Sequence, residues 1–243
     1  VRLSRVYLNA PLECGTRATL SGSAAAHLTR VLRLKAGDPV TLFNGGAREF
    51  EATLVQAHAG VVTVEVGAAH EVDRESPLSL TLVQGVSRSE RMDLTVQKAT
   101  ELGVTRLVPV LTERSVVKLD GAQAARKLEH WRAIAIAACE QSGRNRPPEV
   151  RPPVSYREFI GSQLEIATRL LLAPLASLRI ADVPRPAAGV MVLIGPEGGL
   201  SAPEQAQALE AGFIGVRLGP RVLRTETAAL AALALLQREF GDF

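Results

Sequence analysis

The amino-acid sequence predicts an α/β chain in which a small, mostly β unit precedes a larger parallel-sheet domain. Three observations predict it. The first third alternates apolar and polar residues, most cleanly at Val62, Val64 and Val66, which is the period of a half-buried strand. After it, short apolar runs alternate with stretches of helical period, the pattern of strand–helix–strand units. One run, Val190 to Ile194, is apolar throughout, as expected for a strand buried on both faces of a parallel sheet.

Taken in order, Arg5 to Leu8 reads as a short strand. Ser21 to Arg30 reads as a helix with Ala24, His27, Leu28 and Val31 on one side. Val40 to Phe43 is a strand that stops at Asn44-Gly45-Gly46, a strong turn signal. Glu49 to Gln56 and Val61 to Val66 are further strands. The polar segment Asp73-Arg74-Glu75-Ser76-Pro77 marks a boundary, giving a first domain over residues 1–72 and a second over 77–243. There, Leu78 to Val83 is a strand. Ser87 starts a helix, with Glu90 three residues on in capping-box spacing and Met92, Val96, Ala99 and Gly103 on the packed face. Arg106 to Val110 is a strand, and Ala122 to Gln141 a long helix that buries Leu128, Trp131, Ala135 and Ala138. Gly143 with Pro147, Pro148, Pro152 and Pro153 ends that helix. Arg169 to Ala173 is a strand closed by Pro174. Ser201 and Glu204 form a second capping-box pair, with Pro203 tolerated in the first turn. Gly215 to Leu218 is a short strand. The Ala/Leu-rich final helix, from Thr225 or Glu226, predicts burial on most sides.

With 243 residues, 47% of them hydrophobic, the chain has ample material for a core, so a disordered chain is excluded. Aromatics are only 4%, which leaves the core to Leu, Val, Ile and Ala. A net charge of +3 and an isoelectric point near 9.2 permit an RNA partner without requiring one. Cys14 and Cys139 make no disulfide or metal pattern, and His27, His58, His70 and His130 have no ligand spacing; a reducing compartment and no metal are expected. Cys139 sits inside a helical pattern and reads as a small buried residue. Arg2, Ser4 and Arg5 argue against a secretory leader. The apolar stretch Ala228 to Leu236 is too short to span a bilayer.

Two loops carry the chemistry. Leu193-Ile194-Gly195-Pro196-Glu197-Gly198-Gly199-Leu200-Ser201 lies between a buried strand and a capped helix, where open α/β sheets bind ligands. It lacks both the phosphate-loop and the dinucleotide glycine patterns; a tight strand–helix turn is the plainer alternative. Leu218-Gly219-Pro220-Arg221-Val222-Leu223-Arg224-Thr225-Glu226-Thr227-Ala228 places two arginines and a carboxylate before a helix. In the plainer alternative Thr225 caps that helix and Glu226 favours its positive end. Arg144, Arg146 and Arg151, with Arg88 and Arg91, supply the repeated positive charge a phosphate surface needs.

In order along the chain, Ser87-Arg88-Ser89-Glu90-Arg91-Met92, Gln97-Lys98-Ala99-Thr100-Glu101-Leu102-Gly103, Pro109-Val110, Thr112-Glu113-Arg114-Ser115, Glu140-Gln141-Ser142-Gly143-Arg144 and the two loops above resemble the RsmE family, the 16S ribosomal RNA uracil-N3 methyltransferases. The resemblance covers essentially the whole chain. It implies an α/β SPOUT trefoil-knot domain preceded by a PUA-like RNA-binding β-barrel, working as a cytoplasmic homodimer. It implies transfer of a methyl group from S-adenosylmethionine to N3 of a uridine in 16S rRNA of the small ribosomal subunit. The cofactor pocket it implies comprises Leu172, Ala173 and Pro174; Gly195, Pro196, Glu197 and Gly199; and Leu218, Gly219, Val222, Leu223 and Arg224. In that mechanism Arg224 stabilises charge on the base, Glu226 or Glu197 takes the proton, and Arg88, Arg91, Arg144 and Arg146 hold phosphates. A ribose 2′-O-methyltransferase on the same fold, a non-catalytic RNA-binding assembly factor and a small-anion enzyme are the competing readings.

Overall fold

The computed structural model describes residues 3–162 and 168–243. The chain divides into two compact units, Val1–Glu75 with Cys139–Pro147, and Ser76–Ala138 with Pro148–Phe243.

The first unit is a curled five-stranded sheet. Its strands are β1 (Arg5–Tyr7), β2 (Arg17–Leu20), β3 (Pro39–Phe43), β4 (Arg48–His58) and β5 (Val61–Glu71), in the order β1-β3-β4-β5-β2. With β1 and β2 at opposite ends of that order, the sheet is open rather than a closed barrel. The alternation puts Val62, Val64 and Val66 of β5 and Phe50, Ala52 and Leu54 of β4 into one core. β2 escapes the sequence pattern because Arg-Ala-Thr-Leu has a single buried side chain. The helix expected over Ser21 to Arg30 is split into α1 (Gly22–Ala26) and a π-helical turn, His27–Val31. The wider turn breaks the 3.6-residue period. Ala25 and Leu28 therefore face the core, and His27 and Val31 are exposed.

The second unit is a parallel sheet with helices on both faces. Its strands are β6 (Leu80–Gly85), β7 (Arg106–Leu111), β8 (Glu149–Val150), β9 (Val154–Ser155), β10 (Thr168–Leu172), β11 (Leu178–Arg179), β12 (Val190–Ile194) and β13 (Ile214–Arg217). The order is β11-β13-β10-β12-β6-β7-β8, with β9 also on β7. Alternate residues of the central strands enter opposite cores. Leu80, Leu82, Val190, Val192 and Ile194 pack with α2 (Ser89–Glu101) and α6 (Thr225–Phe240). Val83, Met191 and Leu193 pack on the other face with Tyr156 and Phe159 of α4 (Tyr156–Gly161) and Ala208 of α5 (Ala202–Glu210). The long helix α3 (Gly121–Ser142) buries Trp131, Ala135 and Ala138 as its period predicts, while Leu128 on the same face is only partly buried.

The two capping-box signals part company. At α5, Ser201 accepts from the Glu204 N–H, and Glu204 accepts from the Ser201 N–H at 2.9 Å. At α2 the expected Ser87 cap is absent: Arg88 is the N-cap, and the buried Ser87 hydroxyl has no hydrogen-bond partner among the described residues. The Arg88 N–H donates to Glu197 Oε1 at 3.1 Å, a partner 109 residues away.

Candidate cofactor and active site

β13, β10 and β12 lie side by side and parallel, so their carboxyl ends open on the same edge, where α/β sheets bind ligands. The segments that follow enclose a cavity of about 520 Å³, within the size range of small-molecule sites. Leu172, the last residue of β10, and Ala173 and Pro174 just after it line the cavity. Gly195, Pro196, Glu197 and Gly199 line it after β12. Leu218, Gly219, Val222, Leu223 and Arg224 line it after β13. All twelve residues of the expected cofactor pocket thus face one cavity.

The β12 loop is shaped by close approach. A Cβ on Gly85, at the end of β6, would stand 2.5 Å from Pro196 N and Cδ, so only glycine lets β6 run against Gly195-Pro196. Gly199 takes a positive φ of 67° and its N–H closes a turn onto the Pro196 carbonyl at 2.8 Å. The Glu204 carboxylate both caps α5 and accepts the Glu113 N–H at 2.8 Å, while Arg114 donates to the Gly198 carbonyl at 3.0 Å. The loop after β7 thereby braces the glycine loop. Arg224 is the N-cap of α6 and makes no side-chain cap. A cation there opposes the helix dipole, so its placement does not serve the helix.

Glu197 and Glu226 converge on one cation. Arg91, on α2, is 3.2 Å from Glu197 Oε1 through Nη1 and 3.9 Å from Glu226 Oε1 through Nε. Both carboxylates are largely buried, and Oε2 of each is buried without a hydrogen-bond partner among the described residues. Glu197 lines the cavity beside Arg91 and Arg224; Glu226 is one residue past Thr225, which also lines it.

The four expected phosphate contacts separate. Arg88 and Arg146 are exposed. Arg144 is corrected: it is 4% exposed, and its Nε and Nη2 donate to Glu75 Oε2 at 2.9 and 2.6 Å, so its charge is committed inside the protein. Arg91 differs from Arg144: its side chain is 34% exposed while it forms ion pairs with Glu197 and Glu226. Cys139 is buried, and burial pushes its thiol up to about 12, which removes it as a thiolate nucleophile. Among the described residues no three His, Cys, Asp or Glu side chains group as metal ligands, and no helix is long and apolar enough to cross a membrane. The residues that sequence reasoning passed over are Arg114 and Gln84. Arg114 stood in a quoted motif without a role; Gln84, an amide at the end of a buried strand, was itself the signal.

The RNA methyltransferase domain family matches residues 74–237, and the RNA methyltransferase PUA domain family matches residues 20–66. Ribosomal RNA small subunit methyltransferase E of Buchnera aphidicola from Schizaphis graminum is 33% identical over 99% of this chain and 98% of its own. The Mycobacterium tuberculosis protein of the same name is 34% identical over 93% and 88%. A Legionella pneumophila methyltransferase solved with bound SAM superposes with a TM-score of 0.97 at 42% identity, and ribosomal RNA small subunit methyltransferase E of Neisseria gonorrhoeae, bound to S-adenosyl methionine, with 0.92 at 40%; each covers both chains completely. The architecture is that of a SPOUT knotted methyltransferase domain preceded by a PUA-like sheet. Across its whole length, the chain belongs to the ribosomal RNA small subunit methyltransferase E family.

Proposed function

We propose that this protein transfers a methyl group from S-adenosylmethionine to N3 of a uridine in 16S rRNA of the small ribosomal subunit. The observation that carries the reading is the cavity at the ends of β10, β12 and β13, with Arg224 on its wall and the Glu197–Arg91–Glu226 cluster beside it. The lining suits the cofactor. Leu172, Leu218 and Leu223 offer apolar contact for a purine, and the Gly195–Gly199 segment brings backbone polar groups close to a ligand. These residues, with Ala173, Pro174, Pro196, Glu197, Gly219, Val222 and Arg224, would hold it. S-adenosylmethionine supplies a methyl carbon already activated by its sulfonium.

The protein's residues do the rest. N3 of neutral uracil carries a proton, so it becomes nucleophilic only when that proton leaves. Glu226 or Glu197 accepts it. Arg224 donates to the uracil oxygens on which negative charge gathers. The apolar walls exclude water, and the loops fix the approach of the two reactants. Arg88 and Arg146 hold phosphates of the RNA, with the 1–72 segment as the RNA-binding domain and 77–243, apart from the Cys139–Pro147 segment that belongs to the β-rich unit, as the catalytic one. The reading includes a cytoplasmic homodimer: Leu175, Val222 and Leu235 leave apolar side chains exposed for a second copy to cover.

The test is methyl transfer from labelled S-adenosylmethionine to small subunits lacking base methylation, followed by mass analysis of the nucleosides. The expected product is 3-methyluridine at one site. Label on a ribose hydroxyl would overturn the regiochemistry, and no label together with no cofactor binding would overturn the reading.

A further inference from the structure

We infer that Gln84 is a positioning residue of this site, clamping two of the three walls of the cofactor cavity to the end of β6. The inference rests on the methyltransfer reading and goes beyond it, because Gln84 does not line the cavity.

Gln84 is wholly buried. An amide in that setting is costly unless its hydrogen bonds are made; here the nitrogen end makes them, while Oε1 is buried without a hydrogen-bond partner among the described residues. Its Nε2 donates to Thr225 Oγ1 at 2.9 Å, to the Gly85 carbonyl at 3.1 Å and, more weakly, to the Gly195 carbonyl at 3.4 Å. Two of these partners are backbone carbonyls, which only accept, so the nitrogen end of the amide must face them. The Thr225 hydroxyl passes its own proton on to the Gly195 carbonyl at 2.7 Å. One side chain therefore joins the first residue of the β12 loop to the first residue of α6. Arg224 immediately precedes Thr225 and Pro196 immediately follows Gly195, so both wall segments leave the clamp within one residue. Gly85 adds a steric half to it: its missing Cβ lets Pro196 sit against β6.

A methionine or leucine would fill the same volume without the desolvation cost. The amide earns its place by fixing the spacing of the glycine loop and the α6 start before ligand arrives, which lowers the ordering cost of binding. The clamp thus acts on cofactor affinity rather than on the bond-making step.

The test compares Gln84→Leu, Thr225→Val, Thr225→Ser and the Gln84→Leu/Thr225→Val double variant with the full-length wild type. S-adenosylmethionine affinity is measured by calorimetry, and steady-state methyl transfer gives KM and kcat. Gln84→Leu and Thr225→Val are each expected to weaken cofactor binding by about tenfold. KM for the cofactor rises in step, while kcat at saturation falls by less than about threefold. The double variant loses no more than about twofold beyond the worse single, because both changes cut one chain of bonds. Thr225→Ser, which keeps the hydroxyl, recovers the affinity that Thr225→Val loses. Should Gln84→Leu not fold, Gln84→Met, which keeps the volume and removes the amide, takes its place with the same expected loss of affinity. Lower melting temperatures with unchanged affinity and KM would overturn the inference, as would independent, multiplying penalties. Wild-type protein that binds no S-adenosylmethionine would instead overturn the functional reading beneath it.

Discussion

Arg91 shows how a residue's chemistry changes once its neighbours are known. In the sequence it is one of several arginines near Arg88, and repeated positive charge suggests phosphate contact. In the fold it bridges Glu197, in the loop after β12, and Glu226, in the first turn of α6. A planar guanidinium can reach two carboxylates at once; an ammonium is a single point. Arg91→Lys is therefore expected to lower kcat by about tenfold while keeping the positive charge. Arg91→Gln should leave the salt dependence of RNA binding unchanged, whereas loss of a true phosphate contact would reduce the slope of log K against log salt by about one. A reduced slope would return Arg91 to the RNA surface. Arg144 belongs to the same lesson: its quoted motif was visible, but the carboxylate that takes up its charge, Glu75, lies 69 residues earlier.

At the scale of elements, the longer strands and both chemical loops were legible because period and glycine spacing are local, whereas β2 and the two-residue strands β8, β9 and β11 were not. The buried run of β12, the α3 face and the Ser201 box all follow from neighbours within a turn or two. What escaped depends on distant partners or on short, irregular pieces. β2 buries one side chain, and the π turn at His27–Val31 rotates a face that a regular helix would have presented. The Ser87 box failed because α2 starts one residue later than the box requires: Arg88 is the N-cap, so Ser87 lies outside the capping position, and the Arg88 N–H is held by Glu197. The identical signals Ser87-x-x-Glu90 and Ser201-x-x-Glu204 thus have unequal energetic weight. Ser201→Ala should destabilise the protein by about 1 kcal/mol, the usual worth of a working N-cap. Ser87→Ala removes a buried hydroxyl that makes no bond among the described residues, and is expected to be neutral or stabilising. Urea unfolding of both variants measures the contrast, and equal losses would restore Ser87 as a cap.

At the scale of the whole molecule, the segment Cys139–Pro147 is part of the β-rich unit, and charge explains how it is held there. Arg5 pairs with Glu49 and donates to Asn145 Oδ1 at 2.6 Å. Arg74 reaches Glu49 at 3.2 Å and the Gly143 carbonyl at 3.0 Å. Glu140 accepts the Tyr7 N–H at 3.0 Å. The two carboxylates respond to pH in opposite senses. Burial alone would raise Glu49, but the hydrogen bonds and charges of Arg5 and Arg74 outweigh it and hold the group below its usual 4.5. Its stabilisation is full above that value and is lost as pH falls through the lower native one. For Glu140, burial prevails over the Tyr7 N–H and the nearby cations, and the group sits above 4.5. The native state then binds that proton more tightly than the unfolded chain does, so ionised Glu140 costs stability at neutral pH and the cost fades as pH falls through the native value toward 4.5. Glu49→Gln should therefore destabilise the protein at about pH 7, with the deficit shrinking at about pH 3.5. Glu140→Gln, which keeps an acceptor for Tyr7, should stabilise it at about pH 7, with the gain shrinking in acid. Urea unfolding of the full chain at both pH values reads the two effects. Differences that do not change with pH would mean that these carboxylates act through packing, and that the segment is held by shape rather than by charge.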